Sequence, residues 1–204
     1  MIIGINGKIG SGKDTVGSII QELCLEYNGP EWKIKKFAGK LKTTASLLTG
    51  IPVEKFEDQE FKKLDMNPEW GMTYREFLQK LGTEAMREGL HTNVWVNALF
   101  ADYTPTHYLI GAFDTKLTDG DPVYPNWIIT DMRFPNEMEA VVARGGITIR
   151  VVRPDMNSLQ AMVPAHASET ALDEHTMHYE IINDGTIEDL VEKVRTILIK
   201  ENII

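Results

Sequence analysis

An apolar run, Met1 to Asn6 (MIIGIN), passes directly into a glycine-rich stretch, Gly7 to Gly12 (GKIGSG), and then into Lys13-Asp14-Thr15, where helical periodicity begins. No other stretch restricts the fold as strongly. Strand, tight loop and helix start, in that order, form the first β-α step of a layered α/β protein, and glycines let backbone amides converge in front of the helix. The spacing Gly7-x-x-x-x-Gly12-Lys13 fits the Walker A phosphate cradle with one departure. Asp14 stands where Ser or Thr is usual, and the hydroxyl arrives one residue later, at Thr15. The amides of residues 8 to 13, among them Gly10, Ser11 and Gly12, would then bind phosphate, while Lys13 neutralises charge on the transferring group.

Asp14 sharpens this expectation. A carboxylate is favourable in the first turn of a helix, yet beside a triphosphate it is repelled unless a cation lies between them. Mg²⁺, which takes hard oxygen ligands and keeps several waters, meets that need, with Asp14, Thr15 or both holding it directly or through water. A second acidic candidate closes the apolar run Trp127-Ile128-Ile129-Thr130: Asp131, at the strand's carboxyl tip, suits a Walker-B-like metal holder or a base for the acceptor's proton.

The rest of the chain alternates strands and helices. Val16, Ile19, Ile20 and Leu23 predict a helix over 14–26, stopped by Asn28-Gly29-Pro30; WKIKKFA (32–38) predicts a strand and 39–49 a helix, which places Lys40 and Lys42 near that strand's carboxyl end. Residues 52–72 read as a charged, partly helical excursion. Thr73 with Glu76 is a capping box, so a helix runs from there to about Glu88. Arg75, Gln79, Gly82 and Thr83 fall at i, i+4, i+7 and i+8 of it, on one polar face whose glycine permits close approach to the backbone. Another helix is expected over 93–103, an inserted loop or hairpin over 104–125, a helix over 136–144, strands at 147–152 and 179–182, and a final helix opened by Thr186 and Asp189. This spacing implies βαβ units and a parallel sheet, with ligands at the carboxyl ends of its strands. Arg75, Arg133 and Arg153 would come to that edge as an anion cage for phosphoryl transfer.

Composition narrows the partners. A chain of 204 residues, 43% hydrophobic, supports one core and one domain with insertions. Its formal net charge of -9 opposes binding of a nucleic-acid polymer. The single cysteine, Cys24, lies in an apolar helical stripe and is expected as a buried small hydrophobe, which suits a reducing cytoplasm. With neither a membrane-length apolar run nor a signal-peptide pattern, the expectation is a soluble intracellular protein. His175-x-x-His178 with His166, Asp173 and Glu174 matches no common zinc spacing, and these histidines are expected to be solvated or structural.

Taken together, GKIGSGKDT (7–15), YREFLQKLGTEAMR (74–87) followed by Trp95, TDMRFPNE (130–137), RVVRP (150–154), HASE (166–169) and NDGT (183–186) resemble the deoxynucleoside monophosphate kinases encoded by tailed bacteriophages. The resemblance implies a P-loop nucleoside-monophosphate-kinase fold with a parallel five-stranded sheet flanked by helices, a helical acceptor region and a mobile lid over about 153–177. It implies that Ser11, Lys13, Asp14 and Thr15 serve ATP and magnesium. Arg75, Gln79, Gly82, Thr83 and Trp95 would frame the acceptor nucleotide, with Lys40 beside them. Asp131, Arg133 and Glu137 would complete the transfer site, Glu137 contacting the deoxyribose or a positioning arginine, with Arg153 entering from the lid. Asn183 and Gly185 would lie beside adenine. The implied reaction transfers the γ-phosphoryl of ATP to a dNMP, in the host cytoplasm if the chain is phage-encoded and with a homodimer possible. Two alternatives stay open at this level: another small-molecule P-loop kinase, such as one acting on dephospho-coenzyme A, and a nucleotide-binding ATPase or switch that answers to a protein partner. The segments 52–72 and 104–125 match none of the motifs.

Overall fold

The computed structural model describes residues 1–105, 122–154 and 170–204. The inserted segment's residues 106–121 and most of the lid expected over 153–177, including His166 and the HASE motif, lie outside the described residues. The described chain divides into two compact units, one of Met1–Lys35 with Asp102–Ile204, the other Lys36–Ala101.

The first unit is built on β1 (Ile2–Asn6), β2 (Trp32–Lys35), β3 (Asn126–Ile129), β4 (Ile147–Val152) and β5 (Tyr179–Ile182). All neighbours are parallel, in the order β2-β3-β1-β4-β5. The spacing of the elements implied a parallel sheet and the family resemblance its five strands, and both are present. Its register pairs Gly4 with Ile129 on one side and with Thr148 on the other. Because β1 is central and its successors in the sheet come from distant parts of the chain, the crevice at its carboxyl end is a topological switch point.

Strand alternation decides which face takes which helix. Ile3 and Ile5 join Val16, Ile20 and Leu23 of α1 (Lys13–Glu26) and Leu190, Val194 and Leu198 of the C-terminal helix, α6 (Ile187–Lys200), in one buried cluster. Gly4 points the other way, where a Cβ would stand 2.9 Å from Met132 Sδ and 3.3 Å from Val141 Cγ2, so glycine lets α5 (Pro135–Val142) close on the sheet. Cys24 is buried in the first cluster, and burial pushes its thiol up to about 11, as expected of a packed hydrophobe rather than a nucleophile. The C-terminal helix opens on the capping box read from Thr186 and Asp189.

The second unit comprises α2 (Phe37–Thr49), single 3₁₀ turns at Val53–Phe56 and Phe61–Lys63, α3 (Tyr74–Gln79) and α4 (Val94–Phe100). The strand expected over 32–38 ends at Lys35. Phe37, with only 2% of its surface exposed, begins the helix instead and packs edge-on against Phe100, their rings 6.1 Å apart. The charged excursion at 52–72 gains its order from apolar and aromatic contacts: Phe56 joins Ala45, Met66 and Phe77 in a small core, and Phe61 stacks on Tyr74 with ring centroids at 4.4 Å.

An ion pair at 2.6 Å joins Lys42 of α2 to Glu57. Partial burial pushes the Glu57 carboxyl up, but the hydrogen bond and charge of Lys42, with Lys36 and Lys62, outweigh it and hold it below the usual carboxylate range. A depressed folded value means that the contribution is present above the unfolded value and lost as pH falls through the folded one. Since Glu57 is half exposed, Glu57→Gln is expected to cost about 0.5–1 kcal/mol, or roughly 2 °C of Tm, at pH 7, and nothing once the solution is acid enough to protonate the carboxylate. Thermal melts of both proteins from pH 7 to 3 check this, and a gap that widened toward acid would overturn it.

Candidate functional site

The loop after β1 is a cradle with two residues in left-handed backbone geometry, Gly10 at φ 78° and Gly12 at φ 97°. Gly7 has no room for a side chain, since a Cβ would run into Ser11 Oγ and lie 2.7 Å from the Val151 carbonyl. The Ser11 amide closes a turn on the Lys8 carbonyl at 3.1 Å, and α1 starts at once, its Val16 amide returning to the Gly12 carbonyl at 2.9 Å. Ser11 is 2% exposed, and its hydroxyl has no hydrogen-bond partner among the described residues. A buried, unsatisfied hydroxyl is costly unless something polar comes to it. At the mouth of a helix N-terminus, that something is suited to be a phosphate oxygen. Lys13, only 9% exposed, is held at the start of α1 directly behind the loop.

The β5 end supports this loop. Asn183 Nδ2 donates to the Ser11 carbonyl at 2.9 Å, and the Asn183 amide donates to the Val152 carbonyl at 2.7 Å. The same Nδ2 would be 2.5 Å from a Cβ at Gly12. The side chain expected beside adenine therefore also braces the phosphate loop. Gly185 sits where a Cβ would meet Asp189 Oδ2. Lys193 ties the loop down by donating to Asp184 at 2.8 Å and to the Ile182 carbonyl at 2.6 Å, and this hydrogen bond holds the Asp184 carboxyl low. Asn183→Ala is expected to cost about 1 kcal/mol, or roughly 3 °C of Tm, through loss of one partly buried amide bond to the loop. Thermal melts measure it, and an unchanged Tm would leave the side chain without this bracing role.

The β3 tip is shaped by its own backbone. The Met132 amide donates to the Ile5 carbonyl at 3.2 Å, and Asn6 Nδ2 returns a bond to the Met132 carbonyl at 2.9 Å, fastening the turn to the end of β1. Glu137 is 2% exposed, and its Oε2 accepts from the amides of Arg133 at 2.8 Å and Phe134 at 3.2 Å. With Pro135 in the first turn, this carboxylate caps α5 and sets the course of residues 131–134. Asp131 and Arg133 are partly exposed. Arg153 is exposed and follows β4 directly, so Asp131, Arg133 and Arg153 leave the carboxyl ends of the two strands that flank β1.

Asp14 and Thr15 are exposed in the first turn of α1, and Asp14 Oδ1 accepts a hydrogen bond from Thr130 Oγ1 at 2.9 Å. Hard oxygen donors of this kind fit Mg²⁺, which needs few protein ligands when phosphates and water supply the rest. Among the described residues, no three His, Cys, Asp or Glu side chains gather into a metal cage. His178 Nδ1 accepts from the Thr148 amide at 3.1 Å, and its own amide donates to Thr148 Oγ1 at 3.2 Å, a structural link between β4 and the approach to β5.

The residues read as an acceptor face lie in the second unit. Arg75 is partly exposed and donates to Gln59 Oε1 at 3.2 Å; Gln79 is exposed and Thr83 partly so. From Lys80 to Glu88 the helix widens into π turns, and the Gly89 amide reaches back to the Glu84 carbonyl at 3.0 Å. A wider turn rotates less per residue, so Gly82 falls behind the Arg75/Gln79 face that a regular α-helix would give it, while Thr83 stays on that face. Gly82 is buried: a Cβ there would be 2.9 Å from Leu41 Cδ2, and its carbonyl accepts from Trp95 Nε1 at 2.9 Å. The indole is thereby locked, with Trp95 only 5% exposed. Lys40 is in α2, and the neighbouring Lys42 is taken by Glu57.

Periodicity could not have found the π segment. Thr130 and Asn6 were missed as site residues, although a polar residue closing an apolar strand is itself a signal.

A family model described as deoxynucleotide monophosphate kinase matches residues 31–194. That span begins beyond the phosphate loop, so the cradle is a separate observation. An uncharacterized protein, ORF77, of Ictalurid herpesvirus 1 (strain Auburn) is 32% identical, covering 94% of this chain and 68% of its own length. A putative deoxynucleotide monophosphate kinase of Acanthamoeba polyphaga mimivirus is 27% identical over 95% of this chain and 94% of its own. The deoxynucleoside-5'-monophosphate kinase of Escherichia phage T5 is 23% identical, with 90% and 89% covered.

Proposed function

The chain belongs to the deoxynucleotide monophosphate kinase family, and on that premise we propose that it transfers the γ-phosphoryl group of ATP to a deoxynucleoside 5'-monophosphate, giving ADP and a dNDP. The observation that carries the donor side is the cradle, in which a buried Ser11 hydroxyl, without a hydrogen-bond partner among the described residues, stands at the mouth of α1. Gly10, Ser11, Gly12 and Lys13 hold the donor's phosphates. Lys13, Arg133 and Arg153 offset the charge that spreads over the transferring group, and Asp131 accepts the acceptor's proton or helps hold the cation. Asp14 and Thr15 would hold Mg²⁺, which would supply charge neutralisation for the donor's phosphates. Glu137 keeps Arg133 in register by fixing its backbone. In the second unit Arg75, Gln79 and Thr83 bind the acceptor nucleotide, with Gly82 and Trp95 shaping the helix that presents them and Lys40 adding positive charge.

A coupled assay of ADP release with ATP, Mg²⁺ and each of the four dNMPs and their ribose counterparts tests the reading. Turnover that requires a dNMP is expected. Steady ATP hydrolysis indifferent to every monophosphate would sink it. The substrates are small molecules, and among the described residues no helix is long and apolar enough to cross a membrane. For a phage-encoded member of this family, the place of action is the host cytoplasm.

A further inference from the structure

We propose that Thr130 is the positioning residue for the Asp14 carboxylate, so that the hydroxyl and the carboxylate of a Walker-type metal site have changed places between helix and strand. In the usual arrangement a hydroxyl follows the cradle lysine, and a carboxylate from the neighbouring strand shares the cation with it. Here the residue after Lys13 is the carboxylate Asp14, and the residue that closes β3 is the hydroxyl Thr130. The two meet at 2.9 Å.

Three features fix the direction of the Thr130 hydroxyl. The residue is wholly buried, so water does not compete for Oγ1. Its amide donates to the Lys35 carbonyl at 3.3 Å, which holds the backbone. Its methyl group fills the space left by Gly17, where a Cβ would be 2.6 Å from Thr130 Cγ2. Asp14 and Gly17 are three residues apart, on one face of α1. Thr130 meets both, one through its hydroxyl and the other through its methyl, and a β-branched side chain pinned at both branches has a single χ1 available. The Thr130 hydroxyl is therefore aimed at Asp14 Oδ1 from a fixed position. Groups that orient a ligand in this way typically contribute 10- to 100-fold in metal affinity.

This inference rests on the reading of Asp14 as a magnesium holder, and its test is binding rather than turnover. The Kd of ATP is measured with Mg²⁺ and with EDTA, together with the Tm of the ligand-free protein, for the parent, Thr130→Val and Thr130→Ser. Valine keeps the shape and loses the hydroxyl; serine keeps the hydroxyl and loses the methyl. Thr130→Val is expected to weaken ATP·Mg²⁺ binding about 10- to 100-fold while ATP in EDTA changes less than about twofold, and Thr130→Ser to stay within about threefold of the parent in both. An unchanged ATP·Mg²⁺ affinity in Thr130→Val overturns the proposal. Equal losses with and without Mg²⁺ overturn it too, because Thr130 would then serve the cradle alone. A serine variant as impaired as valine leaves only the methyl's packing. If valine does not fold, Thr130→Ala against Thr130→Ser isolates the same hydroxyl. Phosphorylation of dNMPs by the parent is assayed alongside. Its absence would sink the proposed function without touching the magnesium contrast, whereas an active parent with an indifferent Thr130→Val sinks only this inference.

Discussion

Arg133→Ala is expected to lower kcat for dNMP phosphorylation about 10³-fold, the lower end of what a positioned arginine contributes to phosphoryl transfer. The fold should survive, because backbone hydrogen bonds hold the turn around residue 133. The Arg133 amide is bound by Glu137, the Met132 amide by the Ile5 carbonyl, and the Met132 carbonyl by Asn6. All three remain when the side chain is cut back to a methyl, so Tm should move by no more than about 2 °C. Arg133→Lys restores a charge but not the planar fork that meets two oxygens at once, and should recover only part of the loss. Steady-state kinetics with saturating ATP and a melt of each variant decide the matter. A kcat for Arg133→Ala within threefold of the parent would show that charge neutralisation comes from elsewhere.

The parts of this reading that the sequence carried were those encoded locally. The strand-loop-helix at 2–26 and the capping boxes at Thr73/Glu76 and Thr186/Asp189 are contained within a few residues, and each is present. What escaped depends on non-local geometry or on a departure from regular periods. WKIKKFA alternates only as far as Lys35, and the burial of Phe37 against Phe100, far along the chain, turns the point beyond it into a helix. The face drawn through Arg75, Gln79, Gly82 and Thr83 presumed a regular α-helical turn and missed the widening at 80–88, a change common at functional sites. Asn183 reaches Ser11 across 172 positions, and Thr130 reaches Asp14 across 116. Neither pairing could be drawn until the order β2-β3-β1-β4-β5 set β3 and β4 on either side of β1. Glu137 shows the reverse case. Its motif pointed to the transfer site, and the structure adds that its carboxylate caps α5, so its effect on chemistry passes through the Arg133 backbone.

Gly12→Ala should produce the largest loss of stability, because two separate costs fall on one methyl group. The backbone there lies at φ 97°, where an L-residue is strained by about 1–2 kcal/mol. The new Cβ would also stand 2.5 Å from Asn183 Nδ2, and that side chain is not free to swing away without giving up its bond to the Ser11 carbonyl. Forcing a methyl into such a contact costs roughly 1–3 kcal/mol more. The sum, about 2–5 kcal/mol, corresponds to a fall in Tm of roughly 5–15 °C for a chain of this size. Removing Asn183 separates the two costs. In Gly12→Ala/Asn183→Ala the collision is gone and the backbone strain stays, so the double variant should melt above Gly12→Ala and below Asn183→Ala. Melts of the parent, both single variants and the double variant close the cycle. A double variant whose loss equals the two single losses added together would show that the collision costs nothing, and one equal to Asn183→Ala would show that residue 12 carries no backbone strain. Nucleotide affinity need not follow Tm in this series, because relief of the collision does not return the Gly12 amide to the angle at which the cradle presents it to phosphate.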